Sequence, residues 1–186
     1  MINFSSFGNA LGISYHTVQN WLSVLEASYI VFRLYPYHQN FKKRLVKTPK
    51  LYFYDTGLAS VLLGLKTRDQ VQLHFAKGAL FENLIIADLM KNRYNMGTRP
   101  DFYFWRDSTG NEVDLIIDEG THQKAVEIKS SRVINPDFFK GLDYWSKLSL
   151  TSSDDLFLIY GGKEDQTRSK GKVAGWQTAT ETIFKT

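Results

Sequence analysis

Glu127 and Lys129 limit what this chain can fold into more than any other pair of residues. They stand in the run Ala125–Lys129, with apolar Val126 and Ile128 between and before them. Successive side chains of a strand point to opposite faces, so Glu127 and Lys129 share one face while Val126 and Ile128 pack on the other. Two further strand-like runs come just before, Asp101–Arg106 and Val113–Ile117. Turn signals separate all three: Ser108-Thr109-Gly110-Asn111 and then Glu119-Gly120. A helical pattern over Gly78–Tyr94 leads in. After Asn135-Pro136 a second helix is expected over Pro136–Lys147, then a strand over Leu156–Tyr160 closed by Gly161-Gly162. The order α-β-β-β-α-β predicts an α/β (α+β) core with a mixed sheet and helices packed on it. From Lys163 onward the chain is polar until Val173–Trp176, and its sequence defines no element.

The first third follows another pattern. Phe4–Leu11 reads as a short helix ending at Gly12, a favoured residue just past a helix, and Ser14 is a good N-cap for a second. In that second helix Val18, Trp21, Leu22 and Leu25 recur at helical spacing and predict a core face. Tyr15, His16, Gln19, Asn20 and Ser23 lie on the other face and carry side chains able to hydrogen-bond base edges. Tyr29–Tyr37 and Lys50–Tyr54 read as strands bracketing a basic loop over Asn40–Lys47, with Pro36 and Pro49 where they interrupt pairing least. Asp55-Thr56-Gly57 caps a helix through Leu58–Leu63 that stops at Gly64. Residues 65–77, with Lys66, Arg68, Asp69 and Gln70, read as a polar connection. That junction divides the 186 residues into 1–64 and 65–186, each large enough for a small core.

Composition removes several functional classes. With no cysteine, disulfides, thiolate metal sites and cysteine nucleophiles are excluded, and a cytoplasmic location is expected. The four histidines are never paired at metal-ligand spacing. No apolar run approaches the roughly 18 residues of a membrane helix, so no membrane role is expected. The net charge of +4 is unevenly spread: residues 1–60 hold six Lys/Arg against two acids, and the remainder is balanced. Lys42, Lys43 and Arg44 head that excess, as either a solvated loop or a contact to a polyanion.

A chemistry follows from the strand residues. Asp114, in Glu112-Val113-Asp114, begins the strand that a hairpin would set beside Glu127. Two carboxylates and a backbone carbonyl, Ile128 being the natural candidate, suit Mg2+ or Mn2+, which demand oxygen ligands and retain waters. Lys129 would then face the same ion and its water. Glu82 falls on the helical stripe of Ile85, Ile86 and Leu89, where an isolated charge is costly. It requires a partner: a metal-linked water network, a buried lysine near Lys129, or an ion pair with Arg93 or Lys77.

Two resemblances rest on these motifs. Ala10-Leu11-Gly12-Ile13-Ser14-Tyr15-His16-Thr17-Val18-Gln19-Asn20-Trp21-Leu22 resembles a winged helix-turn-helix, a module that contacts DNA or docks proteins. Residues 78–131 resemble the PD-(D/E)xK nuclease superfamily, although Val113 stands where its name has proline. More closely, the chain looks like the C-terminal half of a bacterial and archaeal AAA+-type ATPase family, in which a winged helix and a restriction-endonuclease-like domain follow a P-loop domain. The stretches that carry this likeness are Lys50-Leu51-Tyr52-Phe53-Tyr54-Asp55-Thr56-Gly57-Leu58, Gly78-Ala79-Leu80-Phe81-Glu82-Asn83, Phe104-Trp105-Arg106, Glu112-Val113-Asp114 and Val126-Glu127-Ile128-Lys129-Ser130. The resemblance implies Asp114 and Glu127 as metal ligands, Lys129 as water-positioning base or charge stabiliser, and Glu82 as the helix acid, all four catalytic. Tyr15, His16, Gln19, Asn20, Lys42, Lys43 and Arg44 would hold DNA. No Gly-x-x-x-x-Gly-Lys-Ser/Thr occurs, so an ATPase domain is expected as a partner, upstream or separate, and the chain as part of a larger protein. The rival expectations are an inactive nuclease-fold docking or regulatory module and a DNA-binding regulator. Oligomeric state is not specified by any of these features.

Overall fold

The computed structural model describes residues 4–38 and 48–184. It is a mixed α/β protein with one mixed eight-stranded sheet and, among the described residues, seven α-helices. Lys42, Lys43 and Arg44, and the basic loop that holds them, lie outside the described residues.

Two helices, α1 (Phe4–Leu11) and α2 (Tyr15–Ala27), open the chain. Gly12 between them takes φ +66, a left-handed conformation that glycine adopts without Cβ strain. Ser14 caps α2, its hydroxyl accepting the Thr17 N–H at 3.1 Å. The predicted core face of α2 is only partly real: Val18 is buried, but Trp21 is 56% exposed. The helix packs mainly on α1 and the following strand, and that narrow contact takes in Val18 and leaves Trp21 outside.

Strands β1 (Val31–Pro36) and β2 (Lys50–Phe53) form an antiparallel pair, Val31 opposite Phe53 and Leu34 opposite Lys50. β1 also pairs in parallel with β3 (Phe102–Arg106), through Tyr35 and Pro36 against Tyr103 and Phe104. The Tyr37 N–H extends that contact, donating to the Phe104 carbonyl at 2.7 Å. The hairpin of the first third is thus the outer part of the same sheet that carries Asp114 and Glu127.

Asp55 caps α3 (Thr56–Leu62), accepting the N–H of Gly57 at 2.6 Å and of Leu58 at 3.2 Å. The stretch expected as an irregular connection contains a further helix, α4 (Arg68–Leu73), opened by a reciprocal capping box between Thr67 and Gln70. None of its residues is buried, so it lacks the apolar stripe by which helices are read from sequence. The long α5 (Lys77–Asn95) precedes β3, β4 (Glu112–Asp118) and β5 (Gln123–Lys129), a meander of antiparallel pairs. The helix expected from Pro136 begins as a 3-10 turn over Pro136–Phe139 and becomes α6 over Lys140–Ser149. β6 (Leu156–Tyr160) lies parallel to β5. The tail supplies β7 (Gln166–Arg168), β8 (Gly171–Gly175) and α7 (Ala179–Phe184), giving the strand order β2-β1-β3-β4-β5-β6-β8-β7.

Each face of the sheet has its own core. Ile85, Ile86 and Leu89 of α5 pack on Leu115, Val126, Ile128 and Ile159. Leu142 and Trp145 of α6 pack on Trp105, Val113, Ala125 and Leu158. The join between α5 and the hairpin is polar. Buried Asn83 accepts the Phe53 N–H at 2.7 Å, and its amide donates to the Phe53 carbonyl and the Thr56 hydroxyl, both at 2.9 Å. One side chain therefore satisfies both backbone groups of Phe53 as a neighbouring strand would. Asn83→Ala leaves those groups buried and unpaired, and we expect it to lower unfolding free energy by about 2–3 kcal/mol in urea titrations.

Candidate functional site

The β4–β5 ladder runs from Asp118 opposite Gln123 to Leu115 opposite Val126. Beyond it, the Ile128 N–H donates to Asp114 Oδ2 at 2.9 Å. A carboxylate has taken the place of a ladder partner where the two strands part. An irregularity in the β3–β4 register, between Tyr103 and Trp105, adjoins this point. There Val113 packs in the α6-side core while Leu115 packs in the α5-side core, a re-aiming of side chains that a bulge produces. Ile128 thus contributes its N–H to the site.

Glu127 is 8% exposed and faces α6. Its Oε1 accepts a short hydrogen bond from Lys129, and its Oε2 is buried without a hydrogen-bond partner among the described residues. Gly141 of α6 lies over it. A Cβ there would sit 3.1 Å from Glu127 Oε2 and 2.4 Å from the Glu112 carbonyl, so the helix can approach only because position 141 is glycine. Lys129 Nζ is also 3.7 Å from Asp114 Oδ2, standing between the two carboxylates.

Glu82 approaches from α5 and meets a half-buried lysine, a kind of partner its place on the apolar stripe required, in a residue that was not singled out. Lys50 Nζ, at the start of β2, lies 2.9 Å from Glu82 Oε1, 2.6 Å from Glu112 Oε1 and 3.9 Å from Asp114 Oδ1. The Tyr52 hydroxyl donates a short hydrogen bond to the same Glu82 oxygen. Neither Arg93 nor Lys77 fills this role; Arg93 pairs with Glu119. Glu112 is further tied to Arg106 at 3.3 Å. Lys50, Tyr52, Arg106 and Glu112 are the members that sequence reasoning missed. Glu112 had a signal, since strand alternation sets it beside Asp114; Lys50 had none beyond its charge.

Four carboxylates thus surround two buried or half-buried lysines, and the balance is negative before Arg106 is counted. Burial pushes both strand acids up: Glu127 to about 8, reinforced by the Asp114 charge, and Asp114 to about 6, reinforced by Glu82. The lysines oppose those shifts. For Lys50 burial opposes the charged form, but Glu82, Asp114 and Glu112 outweigh it and hold the ammonium above the ordinary lysine range. Lys129 is raised likewise, Asp114 and Glu127 outweighing its burial. Among the described residues, no three Asp, Glu or His side chains converge as a ready-made metal cage.

Tyr15, His16, Gln19 and Asn20 belong to α2, apart from the β2, α5, β4 and β5 residues that build this cluster. Tyr15, His16 and Asn20 are exposed, and the Gln19 amide donates to the Tyr15 hydroxyl at 3.0 Å. No helix among the described residues is long and apolar enough to cross a membrane.

A mixed α/β sheet with a buried acid–lysine cluster where two strands part is the class of protein that fold and site define. The chain belongs to the family described as domain of unknown function DUF4143, whose model matches residues 77–178. A second model, domain of unknown function DUF8612, matches residues 1–69. Two curated proteins are similar, the uncharacterized protein Mb2031c of Mycobacterium bovis and the uncharacterized protein Rv2008c of Mycobacterium tuberculosis. Each is 28% identical over 125 residues, covering 67% of this chain and 27% of the relative. The chain therefore matches about a quarter of the length of those relatives. No solved structure matches significantly.

The raised Glu127 carboxyl has a consequence for stability. Its folded value of about 8 exceeds the ordinary 4.5, so its contribution is fully present below the unfolded value and is lost as pH rises through the folded one. In chelator-containing buffer, unfolding free energy should fall by on the order of 3 kcal/mol between about pH 5 and pH 9. Glu127→Gln should flatten that slope in urea titrations; an unchanged slope would mean that Glu127 titrates normally.

Proposed function

We propose that this chain carries a divalent-cation-dependent phosphodiesterase centre acting on DNA, on a PD-(D/E)xK nuclease-like core preceded by a winged-helix segment. The observation that carries the reading is the convergence of Asp114, Glu127 and Lys129 where β4 and β5 part, with one Glu127 oxygen buried and, among the described residues, unpartnered. An orphaned carboxylate oxygen in an acid-rich site fits a hard cation such as Mg2+ or Mn2+. Asp114 and Glu127 would hold that ion, which supplies Lewis-acid polarisation of a phosphodiester and a more acidic water.

The chain's own groups divide the remaining work. Lys129 is held charged by two carboxylates, so it serves to stabilise developing negative charge rather than to remove a proton. Glu82 and Glu112 are engaged by Lys50, which supports a site for one ion in which Lys50 supplies a second fixed positive charge. Glu82 acts by positioning Lys50. The exposed Tyr15, His16 and Asn20 with neighbouring Gln19, and Lys42, Lys43 and Arg44, would contact DNA. The relatives' greater length and the motif resemblance support a P-loop ATPase domain as partner. A chain free of cysteine supports a cytoplasmic setting.

One observation favours a second reading, a catalytically inactive docking module: Lys50 and Lys129 already compensate part of the acidic cluster. Cleavage of branched, nicked and linear DNA with Mg2+ or Mn2+ separates the two. Wild type should cut, and Asp114→Ala and Glu127→Gln should lose roughly a hundredfold or more, the scale of an ion worth several kcal/mol. Calorimetry should give one Mn2+ site, lost in Glu127→Gln. Equal cutting by Asp114→Ala and wild type would overturn the nuclease reading, and a folded protein without Mn2+ binding would favour docking.

A further inference from the structure

β5, β6 and β8 run parallel, and their C-terminal ends finish on one edge of the sheet. Ligands of open α/β sheets collect at that edge. Lys129, a member of the acid–lysine cluster, is the last residue of β5. Beside it lies a cleft of about 1000 Å³ whose floor is made by residues that follow those strands: Ser130 after β5, Gly161-Gly162 after β6 and Trp176 after β8. The floor is firmly tied. The Gly161 N–H donates to the carbonyls of Lys129, at 3.0 Å, and Ser131, at 2.9 Å. Asp165 Oδ1 accepts the Gly175 N–H at 2.9 Å and the Thr178 hydroxyl at 2.7 Å, which holds the loop after β6 to the end of β8. A Cβ on Gly175 would sit 2.8 Å from the Lys163 backbone, so the two segments are in close contact.

The charge of the cleft is one-sided. Lys66, Arg68, Lys77, Arg132 and Lys163 line it, and among the described residues no Asp or Glu does. Among the described residues none of the five forms an ion pair, although ion pairs are common elsewhere in this protein. They come from four places in the chain: the start of α4, the start of α5, the loop after β5 and the loop after β6. The fold therefore gathers cations that sequence keeps far apart. Trp176, 38% exposed, offers an indole face at the same place. The cleft reaches the upper end of the ~300–1,000 Å³ usual for small-ligand pockets, room for a short run of nucleotides rather than one compact metabolite.

We propose that this cleft is a track for a single strand of nucleic acid, with the five cations on phosphates and Trp176 stacked on a base. Cations that follow a backbone, paired with an aromatic face for the bases, are the physical requirements of single-strand binding. A recessed channel beside an indole suits a flexible strand better than a stiff duplex. The track rests on the nuclease reading only in its placement: Ser130, in its lining, directly follows Lys129, so a strand held there would pass beside that site.

The test is fluorescence anisotropy with a labelled oligothymidylate and the full chain in EDTA, where binding is read without cleavage. The exposed double substitution Arg68→Glu/Arg132→Glu should weaken binding at least tenfold and flatten the dependence of log K on log salt, each lost phosphate contact removing about 0.7 from the slope. Trp176→Ala should weaken it about five- to hundredfold with the salt slope unchanged, the signature of lost stacking. Wild-type affinity in the double variant overturns the track whether or not the protein cuts DNA. Binding that depends on the cleft in a protein that never cuts overturns the nuclease reading and leaves the track standing.

Discussion

The hydrogen bond from the Ile128 N–H to Asp114 organises much of this molecule. A buried N–H needs an acceptor, and here a side chain supplies it where the neighbouring strand has turned away. That substitution lets β4 and β5 separate without leaving the backbone unsatisfied. It also fixes a carboxylate inside the gap, within reach of two lysines from different strands. The separation, the buried charge and the position of Lys129 are consequences of the same exchange.

Such a cluster is not assembled for stability. Desolvating four carboxylates and two ammonium groups opposes folding, and their mutual attraction repays it only with good geometry. The raised acids mark an incomplete repayment: negative charge is in excess, and the site favours any added proton or cation. Large apolar layers on both faces carry the surplus, with Trp105 and Trp145 fully buried on one side and Ile86 and Leu89 on the other.

Much of the central fold could be read from the chain because the signals are local. The alternation in Ala125–Lys129, the Gly-containing turns and the caps at Ser14 and Asp55 each act over a few residues and predict elements close to those observed. Glu82, Asp114, Glu127 and Lys129 were recognisable through strand alternation and an acid on an apolar helical stripe, and all four meet in one cluster. Lys50 was invisible because its role depends on β1 joining β3, a pairing of residues far apart in sequence with no local signature. The exposed Trp21 misled for the opposite reason, since helical spacing marks a face without saying whether anything covers it. In the tail, β8 pairs on both sides, with β6 and with the edge strand β7, but is short and flanked by glycine, so neither periodicity nor length reveals it.

Asn83 and Glu82 are neighbours on α5, and both hold β2, one through its backbone at Phe53 and the other through Lys50. The two family models meet between these partners, β2 falling within residues 1–69 and α5 beginning at residue 77. What sequence comparison separates as two heritable modules is, in electrostatic terms, one object. A first segment exchanged for another would have to bring a lysine and a strand edge with free backbone groups to the same place, or leave a half-buried acid without its partner. The two matched segments thus share one set of charges, and neither segment's polar groups are complete without the other.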